Sequence, residues 1–206
     1  MTGFEKTVNC LKKPWVITVF IVMVILSYQY VDRTLATYFY HLDLRSNFKI
    51  LKVLTCFGVW FLYLGLFFAL GLFFRFVNKN EELEKNSWFL FGCIFIPNLI
   101  NFILKVSLSR ARPELLFMEN LYGFYWFKLK DLYWSFPSGH AVTIVAFVSG
   151  LGVLVPKYFY LFLVMALLVA ATRVMLYHHY LSDVLVGFYY SMLVVGLLAH
   201  FVKRKK

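Results

Sequence analysis

Three short stretches of this chain gather residue types that bind and cleave anions. "KVSLSRARP" carries Lys105, Arg110, Arg112 and Pro113; "FPSGHA" carries Pro137, Ser138, Gly139 and His140; "ATRVMLYHHYLSD" carries Arg173, His178, His179 and Asp183. Lys105 and Arg112 are seven residues apart, and on one continuous helix they would point the same way about 10 Å apart, with Pro113 ending the helix. Ser138 and Gly139 open an apolar run. A helix N-terminus there would offer unpaired N–H groups and a positive dipole end to an anion, and glycine would let backbone come close. His179 and Asp183 are four apart and would share a helix face, so the carboxylate would accept the ring N–H, fix its tautomer and raise its basicity.

Each stretch alone has a plainer explanation: lipid-snorkelling cations, a simple helix cap, a surface ion pair. The last fits poorly, since an exposed pair yields about 0–1 kcal/mol while charge in a membrane costs about 2.5–3.5 kcal/mol. Together the stretches offer three cations, two histidines, one carboxylate and backbone donors. With no further carboxylate or cysteine cluster to hold a metal, and no cofactor motif, that set suits a dianionic group, phosphate best of all. An acid-oriented histidine acts as a nucleophile and a second histidine protonates the leaving oxygen. Arg110 falls on another face of such a helix and reads as a surface or headgroup contact. His178 reads as a rim residue.

The elements that carry these residues are membrane helices. The chain is 62% hydrophobic and 15% charged, against about 45–50% apolar and about 25% charged in soluble domains. Six apolar runs, near 14–31, 53–74, 86–105, 138–156, 158–176 and 184–202, approach the roughly 20 residues that cross a bilayer. They predict an all-α, polytopic six-helix bundle forming one domain over 1–206, with the fourth and fifth runs invaded by polar residues at one end. Continuous runs exclude a membrane β-barrel. The first run, uncharged from Trp15 to Val31, outlasts a signal-peptide core of about 7–15 residues and reads as a retained span. Basic tails at both ends (Lys6, Lys12 and Lys13; Lys203, Arg204, Lys205 and Lys206) put both termini in the cytoplasm and all three stretches on the outer face. The net charge of +11 serves orientation and anionic headgroups rather than nucleic acid. Cys10, Cys56 and Cys93 read as small apolar residues. The loop over 109–136, with "LYGFYWFKLKDLYW", has the aromatic composition of an interfacial segment.

The three stretches, in the pattern Lys105-x6-Arg112-Pro113, Pro137-Ser138-Gly139-His140 and Arg173-x5-His179-x3-Asp183, resemble the signature motifs of the type 2 phosphatidic acid phosphatase superfamily, with Thr172 where the family usually has serine. The resemblance covers the chain from the third span onward, and its small size is similar to bacterial members. It implies a metal-independent lipid phosphatase of a bacterial inner membrane. In that scheme His179 attacks phosphorus, Asp183 orients it and His140 protonates the departing oxygen. Lys105, Arg112, Ser138, Gly139 and Arg173 hold the phosphoryl oxygens. Phosphatidylglycerol phosphate, phosphatidate, polyprenyl diphosphate and lipid A phosphate are the candidate substrates. The same residues suit transfer of the phosphate to a second lipid, and the cations alone would suit an anionic-lipid transporter.

Overall fold

A computed structural model describes residues 1–204, all helix and connecting loop apart from one isolated β-bridge, Arg110 to Phe124. A short amphipathic helix, α1 (Gly3–Leu11), begins with a capping box: Thr2 accepts from the Glu5 N–H and Glu5 accepts from the Thr2 N–H. The first span, α2 (Pro14–Leu26), passes through one π-helical turn (Ser27–Val31) into α3 (Asp32–Leu42) without a break in direction of the chain. Residues 32–42 were expected in a loop; they extend the first span instead. After the small helix α4 (Leu44–Asn47), α5 (Lys49–Cys56) and α6 (Trp60–Phe76) form the second span, interrupted at Phe57–Val59. The third, α7 (Glu81–Leu108), is capped by Asn80, whose side chain accepts from the Leu83 N–H, and its first turn carries Glu81, Glu82 and Glu84, the sign its dipole favours.

After α8 (Pro113–Glu119) come α9 (Gly139–Leu154), α10 (Phe159–Met175) and α11 (Leu181–Arg204). Among the described residues five helical stretches are long and apolar enough to cross a membrane: Pro14–Leu42, Lys49–Phe76, Glu81–Leu108, Pro156–Met175 and Leu181–Val202. The expected fourth span, 138–156, is the exception. Its helix has 16 residues, short of the roughly 20 a hydrocarbon core takes. It sits at the centre of the bundle, where Ala141, Val142, Val145 and Ala146 are completely buried. Protein rather than lipid surrounds it, so bilayer thickness does not set its length.

The bundle is closed by small residues that let backbones approach, the usual basis of packing in lipid. A Cβ on Gly187 of α11 would lie 3.1 Å from the Ser138 carbonyl oxygen and 3.2 Å from Val142, so this glycine brings the N-terminal ends of α9 and α11 together. At the other end of the bundle, Phe4 and Val8 of α1 are buried against Phe159 and Gly196, and the Tyr189 hydroxyl donates to the Leu11 carbonyl. The start of the chain and the last turns of α11 thus share one end. Lys205 and Lys206 of the basic tail lie outside the described residues.

Candidate active site

Lys105 closes α7, His140 opens α9, Arg173 closes α10 and Asp183 opens α11. Alternating chain direction therefore brings all four to the same end of the bundle, opposite the termini. Lys105 reaches back over this end and donates from Nζ to the Trp134 carbonyl.

Arg112 arrives by a different route from the one its spacing suggested. The helix carrying Lys105 stops at Leu108, where Ser109 takes a left-handed conformation (φ 46°). Pro113 does not end that helix but starts α8 as its first residue, with Arg112 as N-cap. A proline's fixed φ and missing N–H suit that position. A turn, rather than two turns of helix, carries Arg112 to the site.

The spacing from Arg173 to His179 is also a turn. Tyr177 is left-handed (φ 43°), its N–H donates to the Val174 carbonyl and the His178 N–H to the Arg173 carbonyl, the pairing of a Schellman motif. The His179 N–H donates to the same Arg173 oxygen. His179 thus sits in the tight connection before α11, held relative to Arg173 by backbone hydrogen bonds.

The His179 ring is 3% exposed, and Lys105, Arg112, Arg173 and His140 all lie close enough to act on its charge. Burial, then those three cations and the second imidazole, push its pKa well below the usual histidine value, so the ring is neutral at pH 7. Its Nδ1 lies 2.7 Å from the Ser135 carbonyl oxygen. A carbonyl only accepts, so Nδ1 carries the hydrogen and Nε2 keeps a free lone pair. Asp183 was expected to take that N–H, but its Oδ2 is 3.8 Å from Nδ1. The carboxylate is occupied elsewhere. It accepts from Ser135 Oγ (2.5 Å), the Tyr180 N–H (2.9 Å) and Arg110 Nη1 (2.5 Å).

Several donors at this end have no acceptor among the described residues: Ser138 Oγ, Arg112 Nε and Arg173 Nε, all buried. Buried donors are nearly always paired, and three on separate segments beside one imidazole make a ready cradle for an anion. Gly139 closes the cradle, with Asn101 Nδ2 only 3.3 Å from where its Cβ would be. The second arginine nitrogen is shared differently: Arg173 Nη1 donates to Thr55 Oγ1 at 2.7 Å, which ties α5 to the site. At the break between α5 and α6, a Cβ on Gly58 would come within 2.6 Å of the His140 Cβ, so the second span packs directly on that imidazole. His178, expected at the rim, is half-buried there; burial and then Arg173, Arg45, Arg112 and His140 push its pKa down to about 3. The Thr172 hydroxyl bonds back to the Val169 carbonyl in its own helix.

Arg110 corrects the sequence reading most sharply. In place of a surface contact it is 0% exposed. It donates from Nη2 to Asp32 Oδ2 (2.8 Å) and the Tyr122 hydroxyl (3.0 Å), and from Nη1 to Asp183 and the Ser182 hydroxyl (2.7 Å). Burial opposes its charge, yet Asp183 and Asp32 hold its pKa above the usual arginine value. Asp32, read as part of a loop, is equally buried and accepts from Ser27, from the Ser182 N–H and from the Ser182 hydroxyl. Nothing in the spacing of one sequence marked this pair, although an acid at the end of an apolar run was a signal of its own, since such residues are seldom idle. Ser135, Thr55 and Gly58 carried no signal at all.

Among the described residues no three His, Cys, Asp or Glu side chains gather where they could hold a metal ion. The family model described as the PAP2 superfamily matches residues 86–206. Two curated relatives, a lipid A 1-phosphatase of Rhizobium johnstonii and another of Rhizobium etli, are each 36% identical to this chain over 104 residues. The match takes in 49% of this chain but 43% and 45% of the two relatives, less than half of either. The fold is similar to that of a crystal structure of a transmembrane PAP2 type phosphatidylglycerolphosphate phosphatase from Bacillus subtilis, with a TM-score of 0.50 and 19% identity over 98% of this chain and 94% of that one.

Proposed function

This chain belongs to the PAP2 superfamily, and from that premise we propose that it is a membrane lipid phosphatase working through a phosphohistidine without a metal. The observation that carries the reading is the setting of His179: a buried ring whose Nδ1 lies 2.7 Å from the Ser135 carbonyl oxygen, leaving Nε2 free, with Lys105, Arg112 and Arg173 close enough to act on its charge. The phosphoryl group sits in the cradle, its oxygens taking hydrogen bonds from Lys105, Arg112, Ser138, the Gly139 N–H and Arg173. The Nε2 lone pair forms a bond to phosphorus while the bond from phosphorus to the lipid oxygen breaks. His140 gives that oxygen its proton, and the lipid alcohol leaves. Water then attacks phosphorus, His140 takes its proton, and the N–P bond breaks to restore His179 and release inorganic phosphate. Fixed cations and N–H donors stabilise the charge that spreads over the phosphoryl oxygens, and Asp183 acts on the ring through Ser135.

The short central helix completes six crossings, because its neighbours rather than lipid cover it. By the positive-inside rule the basic residues Lys6, Lys12 and Lys13 near the start of the chain favour cytoplasmic termini, with the cradle on the periplasmic face of a bacterial inner membrane. The exposed loop tip at Trp126, Phe127 and Leu129 lies at headgroup depth, where aromatic residues concentrate. Lipid phosphates of the kinds named for the relatives are the first substrates to try, with phosphatidate and polyprenyl diphosphate beside them.

Purified protein in detergent, offered this panel, is expected to release inorganic phosphate with a chelator present, and His179→Ala to abolish release. Activity lost on metal removal, or kept by His179→Ala, would overturn the reading.

A further inference from the structure

The proposed chemistry uses Asp183 and His179 but leaves unexplained two of the most deeply buried charges in the chain, Arg110 and Asp32. They form one continuous network. Asp32 receives the Ser182 N–H (3.0 Å) and the Ser27 hydroxyl (3.1 Å), and grips one arm of Arg110 (2.8 Å). The other arm of Arg110 holds Asp183 Oδ1 (2.5 Å). Asp183 Oδ2 in turn holds the Ser135 hydroxyl (2.5 Å), and the Ser135 carbonyl takes His179 Nδ1–H (2.7 Å). Arg110, Asp32 and Asp183 are fully shielded from solvent. The guanidinium plane is further enclosed by the rings of Tyr28, Tyr122 and Tyr180, 4.8, 5.3 and 4.4 Å from its centre.

We infer that Arg110 and Asp32 are positioning residues for the nucleophile, acting through Asp183 and Ser135 on the tautomer and angle of the His179 ring. The inference rests on the proposed role of His179 and extends it. A carboxylate free to turn would compete with the Ser135 carbonyl for the ring N–H, and the two acceptors hold the ring at different angles. Arg110 removes that freedom by fixing Oδ1, and the Tyr180 N–H and Ser135 hydroxyl saturate Oδ2. Asp32 performs the same service for Arg110. A guanidinium suits the task because its planar fork engages two carboxylates at once, which an ammonium does not reproduce. Asp32 stands on the first span, outside the residues 86–206 that the family model matches. The π turn before it, a feature frequent at functional sites, puts Ser27 against its carboxylate. The first span is therefore part of the site rather than an anchor beside it.

The test compares Asp32→Asn, Ser135→Ala and their combination in the purified full chain, on whichever lipid phosphate of the panel the wild type turns over fastest. Each single change is expected to lower kcat per folded molecule about 10–100-fold, the usual effect of removing an outer partner, with KM within about twofold. Links of one chain do not act independently, so the double variant should lose no more than the worse single one. Losses that multiply, a raised KM with kcat intact, or a folded Asp32→Asn with wild-type kcat would each overturn the inference. If Asp32→Asn does not fold, Arg110→Lys takes its place, and unchanged kcat in Ser135→Ala is then sufficient to overturn it. His179→Ala run alongside separates the two claims. Activity surviving in that variant sinks the phosphohistidine reading, whereas its loss beside unaffected Asp32→Asn sinks only the positioning network.

Discussion

His179 Nδ1 stands 2.7 Å from the carbonyl oxygen of Ser135, and the side-chain hydroxyl of that same serine stands 2.5 Å from Asp183. One residue thus joins acid and imidazole with its two ends, backbone toward the ring and side chain toward the carboxylate. A neutral carbonyl fixes the tautomer of the ring, while the Asp183 carboxylate is held back at 3.8 Å with its charge offset by Arg110.

That balance sets a pH dependence. The folded-state pKa of His179 is depressed by burial and by Lys105, Arg112 and Arg173, so the proposed nucleophile stays unprotonated below the ordinary histidine range. Arg112→Gln removes one of those cations and lets the pKa rise. The acid limb of kcat/KM, which reports the free enzyme, should move to higher pH than in wild type. Rate profiles from about pH 5 to pH 8 on one substrate check this, since substrate ionisation (a second phosphate pKa near ~6) is common to both. A limb that stays put, or moves down, would contradict the electrostatic reading.

Ser138 should separate stability from activity. Its hydroxyl is buried with no acceptor among the described residues, an arrangement that costs about 1–3 kcal/mol. Ser138→Ala should therefore leave the unfolding midpoint in detergent unchanged or raised. It should still slow turnover about 10²–10³-fold, the usual loss for a missing oxyanion donor. A variant both less stable and fully active would show that the hydroxyl is structural.

Gly58 should matter through contact alone. An alanine there would put its Cβ 2.6 Å from the Cβ of His140, and one of the two must move. A displacement near 1 Å at a reacting group costs about 10²-fold in rate, so Gly58→Ala should lower kcat by that order while phosphate binding persists. Wild-type kcat would mean the break between α5 and α6 yields without disturbing His140.

Arg110→Ala should be the most destabilising of these changes. It leaves Asp32 and Asp183 buried without their counter-charge, and removing one partner of a buried ion pair costs about 3–5 kcal/mol. Denaturant unfolding in detergent measures it. A loss under about 1 kcal/mol, the range of an exposed pair, would mean that water reaches the network.

Much of the candidate site is legible in the sequence, for a physical reason. Lys105, Arg112, Ser138, His140, Arg173, His179 and Asp183 are polar residues in a chain whose surroundings make polarity costly, so each stands out singly and their spacing adds to that. Arg110 stands out equally, but a helix continued through Ser109 to Arg112 would put it on the wrong face. The left-handed turn at Ser109 swings Arg110 inward instead. Ser135 was invisible, since it works with a backbone carbonyl that any residue possesses. Asp32 was hidden by a boundary: an apolar run ends at Val31, but the helix continues to Leu42, and hydropathy records where lipid ends rather than where hydrogen bonding does. The fourth run, 138–156, suggests a longer helix than the 16 residues of Gly139–Leu154, because a run of apolar residues looks the same whether lipid or protein covers it.

The central claim is a covalent one, and trapping the intermediate tests it most directly. Purified protein mixed with a lipid carrying a labelled phosphate and quenched in alkali should hold label that is stable to base, released by acid, and located on His179 by peptide mapping. Label on another residue, or turnover with no labelled protein at any quench time, would contradict the account.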